Sequence, residues 1–550
     1  MKIRNPGKYS MITGLSVIAA LGLPAYQARA ESAGEHIAQQ GASHPGAVAC
    51  SSCHGADGGG NEPAGFPRLA GLNAAYLEKQ LQAFKQGSNK NPVMSGMAAA
   101  LTDQEIKAVS AYYASLKPVS HAQAPADVAL SAGERLATYG DMTTRGLPAC
   151  LQCHGPGGLG VGSVFPPIAG QPYSYLVAQI EAWKSALRSG DPLGLMKQVA
   201  DLLTEDETRS VAAYFASQPL VADKMPVTDK PPATGQETTS AGQRSAPVPP
   251  PPHHGEIVPG SEPGTQGYFQ SPPHGEYPDG PLGEKVRLGE AIFAASDSHP
   301  VSGRYVGNKQ VCQGCHLDGG RLPNSAPMWA AWVAYPAYRK KTAAVNTLIE
   351  RVQGCFEYSM NAKASKAGRA PAADSDTIVA LISYMYWLAT GAPTGDQHMP
   401  GRGYAALAGT DKGFDPARGR DVYAAKCAIC HGENGEGRIA RGEVVFPPLW
   451  GADSYNWGAG MHNVNTAAAY IKLNMPLGLA SAAKKTAWLS DQEAWDVAAY
   501  VNAHERPQDP RFSGSVADTK ERFHGGKYDY YGTPGKLDGK VLGKGVSLSR

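Results

Sequence analysis

Eight of the nine cysteines stand in pairs separated by two residues, and each pair runs straight into a histidine. The four copies are Cys50-Ser51-Ser52-Cys53-His54, Cys150-Leu151-Gln152-Cys153-His154, Cys312-Gln313-Gly314-Cys315-His316 and Cys427-Ala428-Ile429-Cys430-His431. This spacing lets two thiols add across the vinyl groups of one haem while the adjacent imidazole reaches the iron from the same face. A single copy would also suit a zinc site or a redox dithiol. Four copies point to four covalently attached haem c groups. The paired cysteines are then the attachment points, and His54, His154, His316 and His431 the first axial ligands. A macrocycle at the centre of each unit supplies much of its core, and no long alternating strand pattern runs through the sequence. The expected fold is all-α: four class I cytochrome c-like haem domains arranged as two dihaem halves.

The N-terminus carries Lys2, Arg4 and Lys8, an apolar run from Met11 to Leu23 and then Ala28-Arg29-Ala30, the pattern of an export signal cleaved after Ala30. That run is shorter than the roughly 20 residues a membrane span needs. The expectation is therefore a periplasmic chain without stable membrane insertion. A formal net charge of +2 excludes nucleic acid as a natural partner. With 550 residues the chain exceeds any single core. The sequence divides into a signal peptide (1–30), cytochrome c domains (31–120 and 121–219), a Pro-rich linker containing Pro249 to Pro252 (220–266), the domain of the third haem (267–400), that of the fourth (401–510) and a C-terminal tail (511–550). The tail, rich in Gly and Lys, either wraps a domain or stays unfolded.

A second pattern repeats around the motifs. Phe66-Pro67, Phe165-Pro166 and Phe446-Pro447 follow three of them. Thr102 with Glu105, Thr204 with Glu207 and Ser490 with Glu493 form capping boxes, each opening an amphipathic helix. The inward faces carry Ile106, Val109 and Tyr113, then Val211 and Phe215, then Val497 and Val501. The third unit shows neither the Phe-Pro element nor a clear capping box and is the divergent member.

Each iron needs a second axial ligand, and Met raises the potential of an electron carrier. Aligning the first two repeats on Thr102 and Thr204 matches Met94 with Met196, whereas Met97 falls on Val199; Met94 and Met196 are the expected ligands. Met475 takes the corresponding place in the fourth unit, with Lys472 as a competitor. In the third unit Cys355 lies 39 positions and Met360 44 positions beyond His316, and spacing does not separate them. Cys355 is the one cysteine left unpaired. A thiolate there would lower the potential and keep a nucleophilic sulfur beside an electron acceptor.

The segment Gly307–Asn361, with Cys312 to Asp318, Ala326-Pro327-Met328-Trp329 and Cys355-Phe356-Glu357-Tyr358-Ser359-Met360-Asn361, resembles the thiosulfate dehydrogenase family of dihaem, tetrathionate-forming enzymes. The likeness extends from Tyr268 to Pro507. Residues 47–218 are similar to a dihaem cytochrome of the c4 type, the electron acceptor of that family. The resemblance implies a fusion of acceptor and dehydrogenase in which Cys355 is the distal ligand of the catalytic haem. It also implies thiosulfate and tetrathionate as the reacting pair, and a periplasmic electron acceptor or terminal oxidase as the final partner. Some members carry Lys just before the fourth-haem Met; here Asn474 stands there. Arg339, Lys340, Lys341 and Arg351 are candidate anion-binding cations, with Arg351 one helical turn before Cys355 and Ser359 one turn after it as a hydrogen-bond donor. Two other readings fit the residues: a tetrahaem electron carrier with Met360 on the third iron, and a sulfur-transfer cytochrome acting on a carrier protein.

Overall fold

A computed structural model describes residues 33–220, 257–258, 267–396 and 398–547. The signal segment and nearly all of the Pro-rich linker lie outside the described residues. The chain divides into two compact units, Met1–Ala122 and Gln123–Arg550.

In the first unit a helix over residues 33–40 packs against the helix Asp103–Ser115. Thr102 and Glu105 close the expected capping box, satisfying two amides that the helix start would leave unpaired. Ile106, Val109 and Tyr113 are all buried, joined by Ile37, Leu72 and Leu77.

The second unit repeats this plan three times. Leu130–Tyr139 crosses Glu205–Ser217, Gly280–Ala294 crosses Asp376–Leu388, and Pro416–Lys426 crosses Asp491–Asn502. A glycine sits at each crossing. A Cβ at Gly133, Gly289 or Gly419 would lie 2.0–2.2 Å from the carbonyl oxygen of Ser210, Ala380 or Asp496, and Gly34 meets Ala108 in the same way in the first unit. Only a residue without a side chain lets the two backbones come this close. The third domain, divergent in motif, is therefore the same architecture as the other three.

That domain does carry a capping box, contrary to expectation. Thr347 and Glu350 bond reciprocally at the start of the short helix Leu348–Gly354, which leads into Cys355. The Thr-x-x-Glu signature was present in the sequence, placed before the distal segment rather than before the C-terminal helix. Strand content is confined, among the described residues, to three two-stranded antiparallel pairs. Two of them matter for the sites: Ala337–Arg339 with Ala344–Asn346, and Arg438–Ala440 with Glu443–Phe446.

The C-terminal tail wraps the fourth domain as far as it is described. Tyr530, Tyr531 and Leu542 are buried in one core with Trp457, Val464 and Trp495. Burial of three such side chains offsets the polar composition that left the alternatives open.

Candidate active site

All four motif histidines are oriented alike. His54, His154, His316 and His431 each direct Nδ1 at a backbone carbonyl, of Pro67 (2.9 Å), Pro166 (2.8 Å), Ala326 (2.7 Å) and Pro447 (2.9 Å) respectively. A carbonyl only accepts, so Nδ1 carries the proton and Nε2 keeps its lone pair free for iron. Burial lowers the pKa of every one, His316 down to about 4, and so holds the neutral, ligating form. The proline carbonyl of the repeated Phe-Pro element thus orients the motif histidine. In the third unit Ala326, before Pro327, does the same without the Phe.

The motif thiols are enclosed. Burial pushes Cys150, Cys153, Cys312, Cys427 and Cys430 up to about 12, and Cys50 and Cys315 up to about 11. The donor set, paired neutral thiols beside an oriented neutral imidazole, fits haem c.

The candidate distal methionines are also held alike. The Met94 amide donates to Asn91 Oδ1 at 2.9 Å, and that of Met196 to Asp191 Oδ2 at 2.6 Å. Met475 follows the helix Val464–Asn474 and shares with His431 the wall of a cavity of about 440 Å³. Lys472 points elsewhere, donating to the Leu489 carbonyl and pairing with Asp491, both at 2.6 Å.

At the third motif, Arg351 Nη1 lies 2.9 Å from Cys355 Sγ. The capped helix Leu348–Gly354 delivers this contact, since residues four apart share a face. The sulfur is the largest influence on Arg351 and raises its pKa, which keeps the cation fixed. Met360 lies in the hydrophobic core, 2 % exposed, with Trp329 and Phe356. Between them Cys355–Ser359 forms a π-turn, with the Met360 amide bonding the Cys355 carbonyl. Ser359 is therefore not placed by an ordinary helical turn as expected. The wide turn directs carbonyls outward, and asparagines cap them. Asn456 Nδ2 bonds the Glu357 carbonyl (3.0 Å), the Asn456 amide that of Tyr358 (3.2 Å), and Asn308 Nδ2 that of Ser359 (2.8 Å).

The other predicted cations separate. Arg339 is spent on the Tyr335 hydroxyl, and Lys340 is exposed on the hairpin. Lys341 exposes its stem, but its ammonium sits 3.3 Å over the Tyr358 ring and 2.5 Å from the Gly458 carbonyl. Enclosure of the ammonium, then Arg511 and Arg351, push its pKa down to about 7. Arg511 also faces Tyr358, 5.3 Å from the ring centre. No sequence signal linked Arg511 to a cysteine 156 positions earlier.

The second and fourth motifs are neighbours. Phe165 and Phe446 contact at 5.1 Å, and Cys153 and Cys430 pack against the same small cluster.

Comparison with known proteins agrees with this architecture. The model for the SoxA/TsdA cytochrome c domain matches residues 304–394, that for cytochrome c matches 38–117 and 416–505, and that for cbb3-type cytochrome c oxidase subunit III matches 143–215. Thiosulfate dehydrogenase of Stutzerimonas stutzeri (strain A1501) is 52 % identical over 283 residues, 51 % of this chain and 87 % of that protein. The chain belongs to the thiosulfate dehydrogenase family. Thiosulfate dehydrogenase electron acceptor of Thiomonas intermedia (strain K12) is 50 % identical over 184 residues, 33 % of this chain and 84 % of that protein. A solved structure described as thiosulfate dehydrogenase (TsdBA) from Marichromatium purpuratum aligns at a TM-score of 0.82 and 51 % identity, covering 94 % of this chain and all of that one. As a thiosulfate dehydrogenase family member with a c4-type acceptor fused to it, the chain is a cytochrome c oxidoreductase of four cytochrome c-like domains carrying haem c. Among the described residues, no helix is long and apolar enough to cross a membrane.

Proposed function

We propose that this chain joins two thiosulfate ions into tetrathionate in the periplasm, using four covalently attached haem c groups. The residues that would hold the irons are His54 and Met94, His154 and Met196, His316 and Cys355, and His431 and Met475. The reading draws on the names of the relatives and, above all, on the 2.9 Å contact of Arg351 with Cys355. When bound, the haems supply one-electron acceptors that relay charge toward the fused acceptor half, where Phe165 meets Phe446, and on to an external partner.

The protein's own residues carry the sulfur chemistry. Arg351 lies against the Cys355 sulfur and remains close enough to share a charge-assisted bond with an incoming anion. The Cys355 sulfur bonds to the sulfane sulfur of the first thiosulfate as two electrons leave, giving a protein-bound S-sulfonate disulfide. The second thiosulfate attacks that outer sulfur, tetrathionate departs, and the thiolate returns. Lys341 and Arg511, on the Tyr358 side, offset the repulsion between two dianions. Both steps also run in reverse. The decisive experiment is Cys355→Gly with haem content checked by absorbance. Tetrathionate formation from thiosulfate and an artificial oxidant should vanish while all haems remain; wild-type turnover in that variant would remove the nucleophile from the scheme.

A further inference from the structure

Away from the haem motifs, the C-terminal tail brings two buried side chains, His524 and Asp529, against His462 of the fourth domain. Their ligating atoms lie within 4.8 Å of one another. His462 Nε2 and His524 Nδ1 both aim at one oxygen, Asp529 Oδ2, at 2.9 and 2.8 Å. The outer nitrogens are already committed. His462 Nδ1 donates to the Ala459 carbonyl, which can only accept. His524 Nε2 donates to Asp509 Oδ2 at 2.9 Å, a carboxylate gripped by Arg511 at 3.0 and 2.6 Å. Asp529 Oδ1 is taken by the Tyr531 amide at 2.9 Å.

Two inward-facing nitrogens therefore share one carboxylate oxygen. The ring centres lie 5.0 Å apart and the side chains are 7 % exposed or less. A single divalent cation held among these three ligand atoms would be bound by both nitrogens and the carboxylate at once. The surroundings match a metal site in its outer layer also. One ring is oriented by a backbone carbonyl and the other by a carboxylate, which fixes the tautomer that ligates. Tyr531 stacks on His524 at 4.1 Å and prevents the ring from turning.

We propose that His462, His524 and Asp529 form a three-ligand zinc site, its fourth position open to water, that staples the C-terminal tail to the fourth domain. Two imidazoles and a carboxylate suit zinc, and the donors are preplaced in the fold. His462 immediately precedes the helix Val464–Asn474, so the site anchors the near end of the helix whose far end leads to Met475.

The test is metal analysis of the intact, haem-loaded chain after dialysis against metal-free buffer, with iron as the internal count. One zinc per chain is expected, and it should fall to background in His524→Ala with iron unchanged. Stripping the wild-type protein with a chelator should lower its melting temperature, and zinc chloride alone should restore it. Should the variant fail to fold, zinc-edge X-ray absorption of the wild type decides. A shell of nitrogen and oxygen at about 2.0–2.1 Å with imidazole scattering and no sulfur supports the site. Zinc that stays substoichiometric after loading, or that binds wild type and variant equally, overturns it.

Discussion

In the proposed reaction, the chemistry at Cys355 depends on the shape of one cation. A guanidinium can donate to the sulfur with one arm and keep another for a substrate oxygen; an ammonium on a shorter reach cannot do both. Arg351→Lys should therefore lower kcat/KM for thiosulfate by about 10–100-fold, the size of a lost charge-assisted bond of about 1.5–3 kcal/mol. Steady-state assays with an artificial acceptor measure this. Lys341 gives a pH dependence. Its pKa is pushed down to about 7, so it is charged below that value and neutral above it. If it holds an anion, KM for thiosulfate should rise as pH increases through 7, and Lys341→Arg should flatten that rise because Arg stays charged. A KM independent of pH from 6 to 8.5 in the wild type would remove Lys341 from substrate binding. At this scale the sequence revealed the lone cysteine and the cation one turn before it. It did not reveal that Arg339 would be consumed by Tyr335, because that depends on how the hairpin folds back.

Two devices set the segment that bears Cys355. The capping box of Thr347 and Glu350 starts its helix, and Thr347→Ala should cost about 1 kcal/mol, seen as a lower denaturation midpoint. The π-turn Cys355–Ser359 ends it, and Met360 directly after the turn is buried in the core. Its stray carbonyls are closed by Asn308 of its own domain and by Asn456 of the fourth, so the turn that bears Cys355 is gripped in part from the fourth domain. Asn456→Ala removes the side-chain partner of the Glu357 carbonyl, a cost of about 0.5–1.5 kcal/mol. Turnover should fall with haem content unchanged, which single-turnover absorbance and pyridine haemochrome assays would check together. A π-turn leaves no signature in residue spacing.

In the whole molecule the acceptor half is not held by its tether alone. Met142, 3 % exposed, is buried among Leu317, Leu322, Leu473, Ala482 and Ala483 of the dehydrogenase half. Tyr139 stacks on His274 at 4.2 Å, and the Thr143 hydroxyl donates to Asp318 at 2.7 Å. A protease site placed within residues 220–266 should therefore give a nicked protein whose halves co-elute on gel filtration. Met142→Lys buries an unpaired charge at the centre of that contact and should make the nicked halves separate while the uncut chain still transfers electrons internally, because the tether keeps the local concentration high. Co-elution unaffected by Met142→Lys would mean that the contact is not anchored there.

Four Cys-x-x-Cys-His motifs, the capping boxes and the inward helix faces follow from local rules: two thioether bonds and an imidazole must fit within five residues, and a helix start must satisfy its own amides. These the sequence determined unaided, and with them the number of domains and their helical class. Distance in the chain hid the rest. The glycine at each helix crossing, the carbonyl that orients each histidine, the approach of Arg511 to Tyr358 and the folding of His524 and Asp529 onto His462 all join segments that local patterning treats as unrelated. Each depends on backbones meeting at a particular angle, and that angle is decided by the packing of whole domains.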